Sequence, residues 1–269
     1  MYFTPDELAS QLKAVQGLRF LPAYREEIIP LIDLTRLHKE DTAENMAVFA
    51  QGAVTAYGKV AALCVYPRFV KQMASLLKES DVKIATVVNF PSGNESIQQV
   101  LQEIQYSIAE GAEEIDVVFP YQTYLKGHEE DAIALIRHCK TVCSTHCLKV
   151  ILETGALKEP FIIAKATKAV VRAGADFVKT STGQYPEGAS LEAAAVILLT
   201  LSKISTHINH PVGLKVSGSI REPLQAWQYV QLAKNILGES WVNPTHFRIG
   251  ASHLLTRLIE ENTPQTKSL

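Results

Sequence analysis

No apolar run in this 269-residue sequence approaches the ~20 consecutive residues that a membrane-spanning helix needs. The segment Met1 to Glu7 is acidic and contains a proline, without the basic and then apolar order of a signal peptide. Neither sign of charge is in excess, since 26 Lys and Arg oppose 28 Asp and Glu for a net charge of -2, which argues against a nucleic-acid partner. We therefore expect a cytoplasmic protein that has neither a membrane nor a nucleic acid as a partner.

Cysteine is scarce, and the four that occur are Cys64, Cys139, Cys143 and Cys147. Three of them cluster beside His138 and His146, so a metal site must be weighed. Two of those three are four residues apart on the apolar face of a predicted helix, and the third opens the next predicted strand. Buried thiols in a reducing compartment explain this spacing better, and we predict that the protein holds no metal.

Glycine-rich nucleotide motifs are also missing. Neither G-x-G-x-x-G nor G-x-x-x-x-G-K-[ST] follows a predicted strand, which counts against dinucleotide-binding and nucleoside-triphosphate-binding folds. A composition of 47% hydrophobic and 20% charged residues is that of an ordinary globular protein with ample material for a core. The length is typical of an α/β barrel built as one domain.

Short β-branched or apolar runs alternate with amphipathic helical segments along the chain, which is typical of βα units around a parallel sheet. One such helix repeats apolar residues at i, i+3 and i+4 between Ile97 and Ile108. The eight predicted strands are Pro30 to Leu34, Val60 to Tyr66, Lys83 to Phe90, Glu114 to Phe119, Leu148 to Glu153, Phe177 to Ser181, Val212 to Val216 and Phe247 to Gly250.

This pattern predicts an α/β fold, a closed (β/α)8 TIM barrel with a short extra N-terminal helix. The extra helix is predicted at 4–15, with Thr4 as its cap and Pro5 in its first turn. We expect one domain over 1–269, with a barrel core at about 28–261 and a frayed tail at 262–269.

Four ionisable residues recur about one βα unit apart on four consecutive predicted strands: Asp116, Lys149, Lys179 and Lys215. Side chains alternate between the two faces of a strand, and this alternation points Asp116, Lys179 and Lys215 into the barrel. Lys149 shares its face with Glu153. The four groups are therefore predicted to converge inside the barrel, where a charge must be paired, solvated or neutralised.

Two lysines close together are suited to a particular chemistry. A free lysine is neutral in only about one molecule in 2,500 at pH 7. At ~5 Å and an effective dielectric near 20, a second ammonium repels it by roughly 3 kcal/mol. Desolvation can add to this repulsion. Lys179 made neutral by the two together could attack a carbonyl and form a Schiff base, while Asp116 positions water or relays protons through Lys215. The alternative is a buried ion-pair network without chemistry.

Barrels often bind phosphate at the loops after their last two strands, through backbone amides at helix N-termini. Ordinary helix starts are the alternative for these loops. Elsewhere, Cys64 either lines the site or is a packed thiol, and Asn89 either contacts substrate or caps a turn. The candidate phosphate-binding residues are Gly183, Gly218, Ser219, Arg221, Gly250 and Ser252.

Seven segments, in this order and at this spacing, carry a resemblance to a known family. They are Leu-Ile-Asp-Leu-Thr at 31–35, Cys-Val-Tyr-Pro-Arg-Phe at 64–69, Thr-Val-Val-Asn-Phe-Pro at 86–91, Glu-Ile-Asp-Val-Val-Phe-Pro at 114–120, Leu-Lys-Val-Ile-Leu-Glu-Thr-Gly at 148–155, Phe-Val-Lys-Thr-Ser-Thr-Gly at 177–183 and Phe-Arg-Ile-Gly-Ala-Ser at 247–252. The chain resembles the deoxyribose-phosphate aldolases, class I (Schiff-base) aldolases with a (β/α)8 barrel.

The resemblance implies roles for individual residues. Lys179 takes the role of the Schiff-base lysine, Lys215 that of the second lysine that lowers its pKa, and Asp116 that of the proton-relay carboxylate. Asp33 and Thr182 would hydrogen-bond substrate hydroxyls. Cys64 and Lys149 complete the predicted substrate-binding set.

The implied reaction is reversible cleavage of 2-deoxy-D-ribose 5-phosphate to D-glyceraldehyde 3-phosphate and acetaldehyde, without a cofactor. The partners are thus a small phosphosugar and acetaldehyde, and the resemblance suggests a homodimer. Two alternatives stay open: a Schiff-base aldolase for a different or unphosphorylated aldehyde pair, and a non-catalytic sugar-phosphate-binding barrel.

The chain departs from the family pattern mainly at the phosphate end. Gln184 stands where members often have lysine, Ser219 replaces the second glycine of a Gly-Gly pair, and His253 replaces the second serine of a Ser-Ser pair. The C-terminal Lys-Ser-Leu lacks the terminal tyrosine of some members.

Overall fold

Eight parallel strands close into a barrel in a computed structural model that describes residues 2–205, 208 and 210–260. The described residues form these eight barrel strands and two further short ones, numbered together in chain order. They are β1 (Ile32–Arg36), β2 (Val54–Thr55), β3 (Gly58–Lys59), β4 (Ala62–Val65), β5 (Lys83–Val88), β6 (Glu114–Val118), β7 (Cys147–Ile151), β8 (Phe177–Lys179), β9 (Gly213–Ser217) and β10 (Phe247–Ala251). The barrel order is β1-β10-β9-β8-β7-β6-β5-β4, and β4 pairs with β1. Strands β2 and β3 form a small antiparallel hairpin. The predicted (β/α)8 barrel is confirmed.

Helices cover the outside of the barrel between the strands. They are α1 (Pro5–Gln16), α2 (Arg25–Ile28), α3 (Ala43–Gln51), α4 (Val70–Leu76), α5 (Ile97–Ala109), α6 (Tyr121–Leu125), α7 (Glu129–Cys143), α8 (Thr154–Leu157), α9 (Pro160–Arg172), α10 (Leu191–Ile204), α11 (Pro223–Leu237) and α12 (Leu254–Glu260). Within the described part of the chain, no helix has the length and apolar character needed to cross a membrane. The predicted tail at 262–269 lies outside the described residues.

The extra N-terminal helix begins as its sequence predicts. The Thr4 hydroxyl accepts the Glu7 backbone N–H at 3.1 Å, and the Glu7 carboxylate accepts the Thr4 N–H at 2.9 Å, which together make a capping box. Leu8 and Val15 are buried where α1 packs on α10 and α11. Helix α10 is buried almost all round, because α1 covers a side that would otherwise face solvent.

Strand ends differ from the prediction by one or two residues. The first strand was predicted to begin at Pro30, but Ile29–Leu31 form a 3-10 turn and β1 begins at Ile32. A proline has no N–H to give to a ladder, so it suits the turn better than the strand. The fifth predicted strand was extended to Glu153, yet Glu153 has φ 55 and ψ 66, and β7 ends at Ile151.

Candidate active site

Seven charged side chains meet inside the barrel, and they form what we call the charged network. All are buried, and they come from six of the eight barrel strands: Asp33, Glu114, Asp116, Lys149, Lys179, Lys215 and Arg248. The ladder places Asp116 beside Lys149, and Lys215 between Lys179 and Arg248. Because their strands are parallel and adjacent, neighbouring side chains on the inner face are brought within ion-pair distance.

Asp116 is the shared acceptor for three lysines. Its Oδ2 accepts hydrogen bonds from Lys179 Nζ at 2.8 Å and from Lys215 Nζ at 2.7 Å. Its Oδ1 accepts one from Lys149 Nζ at 2.9 Å. These three ammonium groups hold the pKa of Asp116 well below its usual range, against the opposing effect of burial.

Arg248 and Glu114 extend the network in a way that the sequence analysis missed. Arg248 donates from Nη1 to Asp33 Oδ1 at 2.7 Å and from Nη2 to Glu114 Oε1 at 2.8 Å. Lys215 lies 2.5 Å from Asp33 Oδ2, and Lys149 lies 2.6 Å from Glu114 Oε2. Glu114 is two residues before Asp116, so strand alternation applied to it would have shown that it shares the inner face.

The charged network carries a net positive charge when all of its groups are ionised. Its four cations face three carboxylates, so one positive charge is in excess when every group is ionised. The pKa of Lys149, Lys215 and Arg248 is raised by their carboxylates, which outweigh the opposing burial. The pKa of Lys179 is lowered, first by burial and then by Lys215, against the attraction of Asp116. Lys179 is therefore the group that can lose its proton and leave the network neutral.

The relative size of the two causes differs from the sequence-based expectation. The sequence predicted repulsion by Lys215, with desolvation adding to it, as the reason for a neutral Lys179. Of the two effects that lower the pKa, burial is larger than the repulsion by Lys215, and the attraction of Asp116 opposes both.

A cavity of about 500 Å³ opens at the carboxyl ends of the strands, next to Lys179. Among the described residues, Lys179 is the only member of the charged network at its wall. Thr182 also lines it. All six candidate phosphate-binding residues are at the wall: Gly183, Gly218, Ser219, Arg221, Gly250 and Ser252.

Three residues of the predicted substrate-binding set do not line this cavity. Asp33 and Lys149 are fully buried inside the charged network. Cys64 packs among Ala62, Ala85 and Val87, and burial raises the pKa of its thiol. Cys64 is therefore a packed thiol, and Asp33 and Lys149 support the charged network from within it.

The loop after β1 brings further residues to the cavity wall. His38, Lys39 and Glu40 line it. Gln184 comes from the loop after β8, and His253 comes from the turn after β10. In a barrel the loops that follow the strands form this rim, so their position in the chain was the available signal.

The family model described as DeoC/LacD family aldolase matches residues 27–236 of the chain. The chain belongs to the DeoC/LacD family of aldolases. A solved structure from Coccidioides immitis, described as a candidate deoxyribose-phosphate aldolase, is 26% identical, with 98% of this chain and 100% of that chain covered and a TM-score of 0.75. The resemblance found in the sequence is thereby confirmed.

Two further structures share the fold of this aldolase. A candidate deoxyribose-phosphate aldolase from Toxoplasma gondii is 23% identical, with coverage of 90% and 96% of the two chains and a TM-score of 0.79. A tetrameric deoxyribose phosphate aldolase from Aeropyrum pernix is 24% identical, with coverage of 96% and 98% and a TM-score of 0.70. The oligomeric state of this chain stays a prediction.

The cysteine and histidine cluster lies on the outside of the aldolase barrel. Cys139 and Cys143 are buried on α7, and burial raises the pKa of each thiol to about 12. The Nδ1 atoms of His138 and His146 lie 2.7 and 3.0 Å from the backbone oxygens of Ala134 and Cys143. Across residues 2–205, 208 and 210–260 no group of three or more His, Cys, Asp or Glu is arranged to hold a metal ion.

Asn89 has a structural position in this aldolase. It is buried with φ 55, its Nδ2 donates to the Val118 oxygen at 2.8 Å, and its Oδ1 accepts the Glu95 N–H at 2.9 Å. Asn89 does not line the cavity. The sequence left open whether Asn89 contacts substrate or caps a turn, and these contacts favour the turn.

The turn after β9 needs a glycine at 218. Gly218 has φ +94, and a Cβ there would lie 2.9 Å from Gly188 Cα. Ser219, which replaces a glycine that is common in the family, also has a positive φ of 62. Both residues line the cavity.

We expect Gly218→Ala to lower the free energy of unfolding by about 1–2 kcal/mol, because alanine disfavours the left-handed region and its methyl group would press on Gly188. Denaturant unfolding measures this loss. Gly17→Ala is the matched control, since Gly17 has φ -93 and no atom within 4 Å of an added Cβ. Equal unfolding free energies for the two variants would contradict the expectation.

Proposed function

We propose that this aldolase reversibly cleaves 2-deoxy-D-ribose 5-phosphate to D-glyceraldehyde 3-phosphate and acetaldehyde through a Schiff base on Lys179. One observation carries the proposal: within the described part of the chain, Lys179 alone connects the charged network to the cavity, and its pKa is lowered. A lysine that lines the cavity and loses its proton more readily than a free lysine is suited to nucleophilic attack on a carbonyl. The relatives described as deoxyribose-phosphate aldolases support the choice of substrate.

The reaction starts with the neutral amine of Lys179. It attacks the C1 aldehyde of the open-chain sugar, and loss of water gives a protonated imine. The C2–C3 bond then breaks as the C3 hydroxyl loses its proton, so that C3 becomes the aldehyde of the released triose phosphate. The bond electrons move into the imine and leave an enamine on Lys179, which is protonated at C2 and hydrolysed to acetaldehyde.

Asp116 and Lys215 support different stages of this sequence. Before the attack, burial and Lys215 favour the neutral amine of Lys179. After the attack the imine nitrogen carries a positive charge, and Asp116 Oδ2, 2.8 Å from Lys179 Nζ, lies where it stabilises that charge. Asp116 is fully buried and its pKa is low, so it suits electrostatic stabilisation better than proton uptake.

The candidate phosphate-binding residues at the cavity wall support a phosphorylated substrate. Gly218 and Gly250 carry no side chain of their own, and Ser252 and Ser219 supply hydroxyls. Arg221 at the wall supplies a cation on a chain that has Gln184 in place of the lysine common in the family. The same wall includes Lys39, from the loop after β1.

Steady-state kinetics with 2-deoxyribose 5-phosphate and with 2-deoxyribose test the proposal. We expect both aldehyde products from the phosphorylated sugar, a much higher kcat/KM for it than for the free sugar, and no turnover by Lys179→Met. Equal kcat/KM for the two sugars would favour the unphosphorylated substrate instead. Binding of the phosphosugar without any turnover by the unmodified chain would favour a non-catalytic barrel.

A further inference from the structure

Glu153 is a buried carboxylate near Lys179 that belongs to no ion pair of the charged network. It follows β7, is 1% exposed, and holds a left-handed backbone with φ 55 and ψ 66. Such a backbone is strained for a residue other than glycine, and strain of this kind tends to collect at functional sites. The conformation therefore needs an explanation.

Backbone hydrogen bonds fix Glu153 beside the loop that follows Lys179. Leu152 N–H donates to the Lys179 oxygen, and Thr154 N–H donates to the Thr180 oxygen, each at 2.9 Å. The Glu153 side chain is thereby directed to Thr182, whose Oγ1 lies 2.5 Å and whose N lies 3.3 Å from Oε2. Within the described residues, the side-chain hydrogen bonds of Glu153 thus reach the cavity wall through Thr182.

These contacts fix the direction of the hydrogen bonds at Thr182. An ionised carboxylate only accepts, so the Thr182 hydroxyl donates its single proton to Glu153. One lone pair of Thr182 Oγ1 accepts the Gln184 N–H at 3.0 Å. The second lone pair is left to accept a proton from a substrate hydroxyl in the cavity.

The two buried carboxylates near Lys179 differ in proton affinity. Three lysines hold the pKa of Asp116 well below its usual range. Burial raises the pKa of Glu153, with a smaller opposing effect from its Thr182 hydrogen bonds and from Lys179. Its Oε1 has no hydrogen-bond partner among the described residues. When two carboxylates differ in this way, the one with the raised pKa is the better proton acceptor.

We propose that Glu153 is the proton acceptor for the bond-breaking step and acts through Thr182. The inference rests on the proposed aldol cleavage. The substrate hydroxyl next to the breaking bond gives its proton to Thr182 Oγ1, while Thr182 passes its own hydroxyl proton to Glu153 Oε2. The electrons of the hydroxyl O–H bond form the new carbonyl, and those of the carbon–carbon bond move into the imine. Glu153 ends as a carboxylic acid, Thr182 regains a hydroxyl, and the reverse shift serves aldol formation.

The test separates bond cleavage from imine formation. Acetaldehyde has no hydroxyl, so trapping of its imine by borohydride does not need the relay, whereas cleavage of the phosphosugar does. We expect Glu153→Gln to lower kcat for cleavage by about 10²-fold or more while the trapping rate stays within about 2-fold. Thr182→Val should behave alike, Thr182→Ser should retain activity, and the double variant should lose no more than either single one.

Glu187→Gln is the matched control, because Glu187 is an exposed carboxylate on the loop after β8, which also carries Thr182, and it does not line the cavity. Normal cleavage by Glu153→Gln would overturn the relay, and so would an equal loss of cleavage and trapping, which would indicate only a structural role. If the unmodified chain neither cleaves the sugar nor traps acetaldehyde, the proposed function itself fails. That result can be told apart from the two that overturn the relay, because in those the unmodified chain is active.

Discussion

Replacement of Lys215 by methionine is expected to lower kcat/KM at pH 7 on the order of 100-fold. The unmodified network is neutral only when Lys179 is uncharged, since four cations face three carboxylates. Without Lys215, three cations face three carboxylates, and the network is neutral only when Lys179 is charged. Loss of a repulsion of roughly 3 kcal/mol at ~5 Å corresponds to this fold-change.

The pH profile of the Lys215→Met variant shows in which direction the pKa of Lys179 moves. Attack needs the neutral amine of Lys179, so activity rises with pH through the pKa of that group. The variant should raise this pKa, because Lys215 lowers it and because Asp116 then has one competing cation fewer. The rising limb of kcat/KM against pH should therefore move to higher pH, and activity should recover at alkaline pH.

Lys203→Met is the matched control for this comparison. Lys203 is half exposed, pairs with Glu7 at 3.2 Å and lies on α10, away from the cavity. Its pH profile should match that of the unmodified chain. A Lys215→Met variant whose limb stays in place, or moves to lower pH, would contradict the charge balance inferred for the network.

Asp116→Asn is expected to reduce the free energy of unfolding by about 3–5 kcal/mol. It takes away the carboxylate that three buried lysines share, and four cations then face two carboxylates. Breaking a buried pair by removing one partner leaves the other charge without compensation in a medium of low dielectric. Denaturant unfolding of the purified variant measures the loss.

The same variant should shift the pH profile in the opposite direction to Lys215→Met. Asp116 attracts the proton of Lys179, so its removal lowers the pKa of that lysine further. The maximum of kcat/KM should also fall, because the protonated imine loses its nearest carboxylate. Asp81→Asn is the control, since Asp81 pairs with Lys59 at the surface with its side chain 87% exposed, and its loss should leave the free energy of unfolding almost unchanged. Similar unfolding free energies for the two variants would contradict the expectation.

The alternation of apolar strands and amphipathic helices was enough to predict the barrel. The convergence of Asp116, Lys179 and Lys215 followed from strand alternation, because neighbouring parallel strands keep their inner faces in register. Arg248 and Glu114 obey the same rule, but each stands at or near the start of a predicted strand and was taken only as part of it. The rule, applied to every charged residue of every strand, would have found the complete network.

Other parts of the site could not be predicted from local sequence. Glu153 was assigned to a strand, since nothing in its neighbours signals a left-handed backbone at a glutamate. Lys39 and His38 reach the cavity only because the loop after β1 folds over the rim. The balance between burial and repulsion at Lys179 depends on depth and on distances that a sequence does not contain. The fold thus followed from periodicity, and the chemistry of the site required three-dimensional distances.

Borohydride reduction in the presence of acetaldehyde, with the modified peptide mapped by mass spectrometry, tests the central claim most directly. The account predicts an ethyl group on Lys179, which blocks tryptic cleavage there and joins residues 173–179 to the following peptide up to Lys203. The adduct should disappear in Lys179→Met. An unmodified Lys179, or a principal adduct on Lys39 or Lys215, would contradict the assignment of Lys179 as the Schiff-base lysine.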